Sequence, residues 1–238
     1  MVWTRPPQPP VPTVWHTFKA KDVDSDQQVV YRVQDLTEDR YEDLIQLFLD
    51  HFLEDEPIAV SKGITKNSPF CENMIKLWTG AIKEQMTIVC YKEGSDEIVG
   101  ANMIVIRGSG GDFNEEMPSD DEGDFMSIIK YVAAQFNPLE HYGVDHRVTA
   151  YGLVVNKRYR GRGIATEILK ARVPMCKAFG IKLCAHNFSA PGSQGATRKA
   201  GYRTDYEITY DKLAEMGPKY TLRGIPSKSI KVMSLWID

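Results

Sequence analysis

Residues 151–165 read Y-G-L-V-V-N-K-R-Y-R-G-R-G-I-A, from Tyr151 to Ala165. Apolar and β-branched residues open the stretch, a basic turn follows, and Gly161 and Gly163 close it. Beyond it, Ile164, Ile168, Met175 and Phe179 recur on one helical stripe. A strand, a basic glycine-rich turn and a helix start together suit a pyrophosphate. The first N–H groups of a helix have no intrahelical partner, and the aligned peptide dipoles add partial positive charge there. Gly161 and Gly163 let the backbone approach an anion with no Cβ in the way. Arg158, Arg160 and Arg162 add guanidinium forks suited to phosphate oxygens.

Three readings fit this stretch. The first is an ordinary strand-to-helix turn with a solvated basic rim. The second is a dinucleotide site, but only G-x-G-x-x-T is present, the third glycine is missing, and the motif comes late in the chain. A triphosphate-binding loop of the form G-x-x-x-x-G-K-[ST] is absent. The third rests on R-x-x-G-x-A at Arg160, Gly163 and Ala165, with Gly161, Arg162 and Ile164 between them, directly after a strand ending Leu153, Val154, Val155. This pattern resembles the acetyl-CoA loop of the GNAT N-acetyltransferases.

Composition sets the bounds. The chain has 238 residues, 42% of them apolar, which suits one domain with appendages. The charge is 29 basic against 32 acidic residues, net −3, so a nucleic-acid partner has no general support and any positive patch is local. Cysteines stand at 71, 90, 176 and 184 with no C-x-x-C and no zinc-like spacing, so neither a metal nor a disulfide framework is expected. A reducing, cytoplasmic setting follows. No apolar run suits a bilayer span and the N-terminus lacks a signal-peptide core, so no membrane association is expected.

In chain order, residues 1–28 form a Pro-rich arm, with a proline-motif ligand as the alternative, and 29–238 form the domain. Val29–Val33 is the first predicted strand. Thr37 is placed to cap a helix from Glu38 to about His51, with Leu44, Ile45 and Phe48 on its inner face. The segment F-L-E-D-E-P-I follows at 52–58, and Pro57 holds Glu56 in an extended exit turn. A second helix covers about 69–85. Thr87–Tyr91 and Ile98–Ile106 make a hairpin. Residues 107–124 carry seven acids and read as a mobile surface loop. A helix at Phe125–Phe136 and a strand at Val148–Val155 lead into the opening motif. Pro174 is expected to kink the helix that follows that motif or shorten its regular part, and Gly180 to end that helix. Then come a strand at 181–185, a helix at 189–200, and strands at 202–210 and 230–237. The class is α/β, with a mixed, mostly antiparallel central sheet flanked by helices.

Two further segments narrow the resemblance to insect-type arylalkylamine N-acetyltransferases, over about residues 30–237. F-L-E-D-E-P-I resembles that family's D-E-P-L element, which implies Glu56 as general base. S-A-P-G-S-Q-G-A-T-R-K-A-G-Y resembles its S-x-x-x-S…G-F element, which implies a functional pair at Ser189 and Ser193. The family fold implies a sheet split between the strands ending at Val155 and Ala185, pantetheine pairing near Leu153 and Val155, and acetyl-CoA as the cosubstrate. It also implies a small amine as partner; a monomer is expected.

The chemistry asks for a base. An amine of pKa about 10.4 is neutral in only about one molecule in 2,500 at pH 7. A carboxylate removes that proton directly or through water. Spacing alone does not choose among Glu54, Asp55 and Glu56, and three adjacent acids also suit a solvated turn. Ser189 and Ser193, four apart on a helix, share a face on which they relay a proton to the leaving thiolate, or else Ser189 simply caps the helix. His186 reads as a polar strand end, with a second relay as the alternative. The implied activity is acetyl transfer to a small primary amine by direct attack in a ternary complex. The rivals are acetylation of protein N-termini or lysines, and a non-catalytic acyl-CoA-binding module that needs the loop but not Glu56.

Overall fold

A single eight-stranded sheet organises the chain, in the order β1-β2-β3-β4-β5-β6-β8-β7. Its strands are β1 (Val14–Lys21), β2 (Gln28–Asp35), β3 (Ile88–Lys92), β4 (Ile98–Gly108), β5 (His146–Val155), β6 (Leu183–Phe188), β7 (Arg203–Thr209) and β8 (Ser229–Trp236). The computed structural model describes residues 3–108 and 124–238. The expected acidic loop therefore lies outside the described residues, apart from Arg107, Gly108 and Asp124. Every strand pairing is antiparallel except β5 with β6. The mixed, mostly antiparallel sheet expected from the sequence is the one observed.

Helices cover both faces, which explains why β4 is buried almost along its whole length and reads as an apolar run rather than an alternation. One face carries α1 (Tyr41–His51), α2 (Pro57–Ser61), α3 (Pro69–Ile82) and α4 (Asp124–Gln135), packed through Leu44, Phe48, Ile58, Trp78 and Val132. The other carries α6 (Ile164–Phe179), packed through Ile164, Ile168 and Met175. The short α5 (Pro138–Tyr142), α7 (Pro191–Lys199) and α8 (Tyr210–Ala214) fill the connections. Among the described residues no helix is long and apolar enough to cross a membrane.

The sequence pattern starts the sheet at Val29, but the first strand is β1, inside the stretch read as arm. Its register shifts between Val14 and His16, so the buried Trp15 and Ala20 fall on opposite parities and the alternation is hidden. The segment before β1 is pinned by Arg5. Its guanidinium donates to both carboxylate oxygens of Asp35, at 2.9 and 2.8 Å, with the two side chains 4% and 0% exposed. Thr13 N–H and Trp15 Nε1 complete the shell around Asp35, at 2.9 and 2.6 Å.

Other departures are local. Thr37 precedes a single 3-10 turn, Glu38–Arg40, and makes no side-chain cap bond. Helix α6 runs through Pro174, which lies on its exposed side, so the Lys170 carbonyl left without an N–H partner faces water. Gly180 ends the helix in the left-handed conformation, as expected. Helix α7 starts at Pro191 with Ala190 as its N-cap, so Ser189 lies outside the helix and does not cap it.

Candidate active site

A bulge in β5 creates the site. Met103 of β4 pairs with Gly152 and Ile104 pairs with Ala150, which leaves Tyr151 as the extra residue. Gly152 has φ +153°, and a Cβ there would stand 2.5 Å from Cε1 of the buried Phe48. Only glycine fits. The bulge carbonyls are held by side chains: Trp78 Nε1 donates to Tyr151 O at 3.3 Å, and Asn102 Nδ2 to Gly152 O at 2.7 Å. Asn102 Oδ1 in turn accepts from Nε of the fully buried Arg172 at 2.8 Å.

Past the bulge, β5 parts from β6. Their ladder holds one register pair, Val148 with Cys184. The opened wedge is a cavity of about 590 Å³, walled by Leu153, Val154 and Val155 on one side and by Asn187, Phe188 and Ser189 on the other. It continues to the start of α6, where Gly161 and Gly163 both have positive φ, 79° and 80°. Gly163 is the N-cap and provides no side-chain cap, so the N–H groups at Ile164, Ala165 and beyond face the cavity mouth. These features fit coenzyme A: an unpaired strand edge for an amide-bearing arm, and a helix N-terminus for a pyrophosphate.

The loop arginines are bonded to the protein itself, although Arg160 also lines the cavity. Arg160 donates to Val155 O and His51 O at 2.9 and 3.0 Å and pairs with Asp55 at 2.5 Å. Arg162 donates to the carbonyls of Arg158 and Arg160 at 3.0 and 2.9 Å, and to Asp22 O at 3.3 Å. Arg158 pairs with Asp24, and Lys157 with Glu54. Sequence reasoning missed the acidic partners Asp24, Glu54 and Asp55 because they come from turns distant in the chain. Tyr159 OH donates to Glu97 at 2.6 Å and adds a further brace.

The same pairings separate the three adjacent acids. Glu54 and Asp55 are spent on Lys157 and Arg160 and are 58% and 41% exposed at the side chain, whereas Glu56 is 7% exposed and lines the cavity. Pro57 at the first position of α2 makes Glu56 its N-cap, and Oε2 accepts from Ala59 N–H at 2.7 Å. Oε1 accepts from Ser189 Oγ at 2.7 Å. Burial raises the Glu56 pKa to about 6, against the bonds from Ser189, Ala59 and Ile58, which lower it. Ser189 is fixed in turn through its carbonyl by Tyr210 OH and Ser227 Oγ, at 3.1 and 2.5 Å.

The expected serine pair is not a helical face. Ser193 is inside α7 and donates to Ala190 O at 2.9 Å, while Ser189 bonds Glu56 from the loop before the helix. His186 of β6 lies 3.1 Å from Thr149 Oγ1 through Nδ1; burial, then the charges of Arg172 and Arg147, push its pKa down to about 3 and keep it neutral. Phe52, Met74, Phe125 and Ile129 line the same cavity as Glu56. Their helical spacing marked them only as core. Among the described residues no cluster of three or more His, Cys, Asp or Glu is placed to hold a metal ion.

Fold and site together define an acyl-CoA-dependent N-acyltransferase. The family model for the Acetyltransferase (GNAT) family matches residues 50–202. Among solved structures, a protein of the yellow fever mosquito Aedes aegypti named arylalkylamine N-acetyltransferase 7 is 43% identical, covers 99% of this chain and 100% of its own, and superposes with a TM-score of 0.94. Arylalkylamine N-acetyltransferase 2 of the same mosquito has 21% identity, coverage of 87% and 99%, and a TM-score of 0.75. The polyamine N-acetyltransferase of Drosophila melanogaster has 16% identity, coverage of 87% and 100%, and a TM-score of 0.70. Comparison with curated protein sequences gives no match. The chain belongs to the GNAT acetyltransferase family, in its insect arylalkylamine N-acetyltransferase branch.

Proposed function

We propose that the protein transfers the acetyl group of acetyl-CoA to a small primary amine with an apolar body, by direct attack in a ternary complex, with Glu56 as general base. The observation that carries this reading is Glu56 itself, a buried carboxylate lining the cavity with its pKa raised to about 6. A base with that pKa is ionised at neutral pH and accepts a proton far better than an exposed acid. Acetyl-CoA supplies the acetyl group.

Glu56 takes the ammonium proton, which frees the nitrogen lone pair to bond to the thioester carbonyl carbon as the C–S bond breaks. The Ser189 hydroxyl, already bonded to Glu56 Oε1, holds the carboxylate in place through this exchange. The backbone N–H groups of the unpaired β5 edge near Leu153 and Val155 polarise the carbonyl oxygen. The second proton, shed by the nitrogen as the amide forms, passes through Ser189 or water to the departing thiolate, and Glu56 returns the first to solvent. Arg160, Gly161, Arg162, Gly163, Ile164 and Ala165 shape the pyrophosphate cradle, the arginines by bracing its carbonyls and the backbone by donating N–H groups.

The lining by Phe52, Met74, Phe125 and Ile129 favours an arylalkylamine over a polyamine, because Asp55, the other acid lining the cavity, is already paired with Arg160. The name of the 43% identical mosquito relative supports the same class. The test is acetyl-CoA-dependent product formation across tyramine, tryptamine, agmatine, spermidine and a peptide. Turnover of a small aromatic amine, lost about 10²-fold or more in Glu56→Ala, supports the reading. Coenzyme A binding without turnover of any amine replaces it with a non-catalytic acyl-CoA-binding module, and turnover of the peptide alone replaces it with a protein acetyltransferase.

A further inference from the structure

Helix α6 carries the cations Lys170, Arg172 and Lys177. Lys170 and Lys177 are exposed, and Arg172 is fully buried. Its Nε donates to Asn102 Oδ1 at 2.8 Å, and its Nη1 to Tyr202 OH at 3.4 Å. Cys176, Cys184 and His186 are its other polar neighbours, and burial keeps His186 neutral. Among the described residues no carboxylate pairs with it. A buried charge with no opposite charge beside it is costly, and a well-packed apolar side chain serves stability better at such a place. Holding α6 to the sheet therefore does not account for this cation.

The hydrogen bonds that lead away from Arg172 end at the cavity. Asn156 N–H donates to Val99 O at 3.0 Å, which fixes the alternation along β4 and β5. Val154 and Gly152 turn their backbone groups toward β4, and the N–H groups of Leu153 and Val155 turn away from it, toward the parted β6. Asn102 Nδ2 donates to Gly152 O at 2.7 Å. The peptide unit that holds this oxygen is planar and trans, so its N–H, that of Leu153, points the opposite way, into the wedge that Leu153 lines. A guanidinium, a side-chain amide and a peptide unit thus stand head to tail, each donating to the oxygen of the next. Bonds in such a chain polarise one another, and the charge at its head strengthens the first of them.

We propose that Arg172 and Asn102 are positioning residues for acetyl transfer, aiming and polarising the Leu153 N–H that bonds the thioester carbonyl oxygen as negative charge builds on it. The inference rests on the acetyl-CoA reading of the cavity. Neither side chain touches the reacting atoms, and no proton moves along the chain. Arg172 acts through Asn102, and Asn102 through the Gly152 carbonyl.

The experiment combines infrared difference spectra of acetyl-CoA, carbon-13 labelled at the thioester carbonyl and bound to the full chain, with single-turnover transfer to the amine that wild type acetylates. Wild type is compared with Arg172→Gln, Arg172→Lys, Asn102→Ala and the double variant Arg172→Gln with Asn102→Ala. In wild type the bound carbonyl band is expected below that of free acetyl-CoA, and in Arg172→Gln to return toward it. Arg172→Gln is expected to slow transfer about tenfold, less than the 10²–10³-fold lost with a direct oxyanion donor, and to leave the KM for acetyl-CoA within about twofold. Arg172→Lys, which keeps the cation, retains more of both the shift and the rate than Arg172→Gln. The double variant is expected to be no more than about twofold slower than Asn102→Ala, because both substitutions break one chain. If Asn102→Ala does not fold, the contrast between Arg172→Gln and Arg172→Lys decides alone. A carbonyl band in Arg172→Gln that matches wild type, a loss carried by KM with the transfer rate unchanged, or additive losses in the double variant overturns the assignment. Failure of wild type to bind acetyl-CoA, or to acetylate any amine, overturns instead the reading on which it rests, and is seen before any substitution is made.

Discussion

Arg5→Met removes the cation that neutralises a carboxylate with no access to water. Asp35 is fully buried and accepts from Arg5 Nη1 and Nη2, Thr13 N–H and Trp15 Nε1. The substitution deletes two of those four donors and, among the described residues, the one cation paired with the carboxylate. Breaking a buried pair by removing one partner costs about 3–5 kcal/mol, because the surviving charge stays desolvated. The cost falls on the attachment of the segment before β1, since Arg5 also donates to Gln85 O and stacks on Phe179 at 5.0 Å. Urea denaturation at fixed pH measures it, with the single variants Arg5→Met and Asp35→Asn and the double variant. Each single variant is expected to lose about 3 kcal/mol or more, and the double variant less than the sum. A loss below about 1 kcal/mol in Arg5→Met, the level of an exposed ion pair, would refute the claim that this contact holds the segment in the core.

Two other outcomes follow from the site. Gly152→Ala places a Cβ 2.5 Å from Phe48 at a left-handed φ, so overpacking and backbone strain together cost about 2–5 kcal/mol; a thermal melt within a degree of wild type would contradict the tight approach. Glu56→Gln changes how stability depends on pH. The folded pKa of about 6 exceeds the unfolded value near 4.5, so the folded protein holds this proton more tightly. Its stabilising contribution is complete below pH 4.5 and is lost as pH rises through 6, by about 2 kcal/mol in all. Glu56→Gln is expected to gain on wild type by that amount between pH 4 and 7, and a difference that stays flat across the range contradicts the burial of the carboxylate.

The sequence discloses what is local. The apolar run of β5, the two glycines and the stripe of α6 sit side by side in the chain, and their geometry follows from backbone rules that act over a few residues. Glu56 stands apart from Glu54 and Asp55 only in three dimensions, where Lys157 and Arg160 pair with its neighbours and leave it buried. Proline at 57 does mark it as an N-cap, a local signal that spacing alone did not use. Ser189 reads as a helix cap because serines usually serve that way, and its carboxylate partner lies 133 residues earlier. Arg172 lies on a helix whose apolar stripe conceals a buried cation, because its partners Asn102 and Tyr202 come from a strand and a loop. Strand β1 is obscured for a different reason: its bulge breaks the two-residue period by which strands are recognised.

The central claim is that Glu56 accepts the amine proton, and the pH dependence of kcat/KM tests it most directly. For a small aromatic amine, wild type is expected to show an acidic limb with an apparent pKa of about 6, the value burial gives this carboxylate. Glu56→Gln, which keeps the side-chain shape and one acceptor oxygen, is expected to turn over about 10²-fold more slowly at neutral pH and to lack that limb. A variant that keeps both the rate and the limb near pH 6 contradicts the assignment and moves the base to another group.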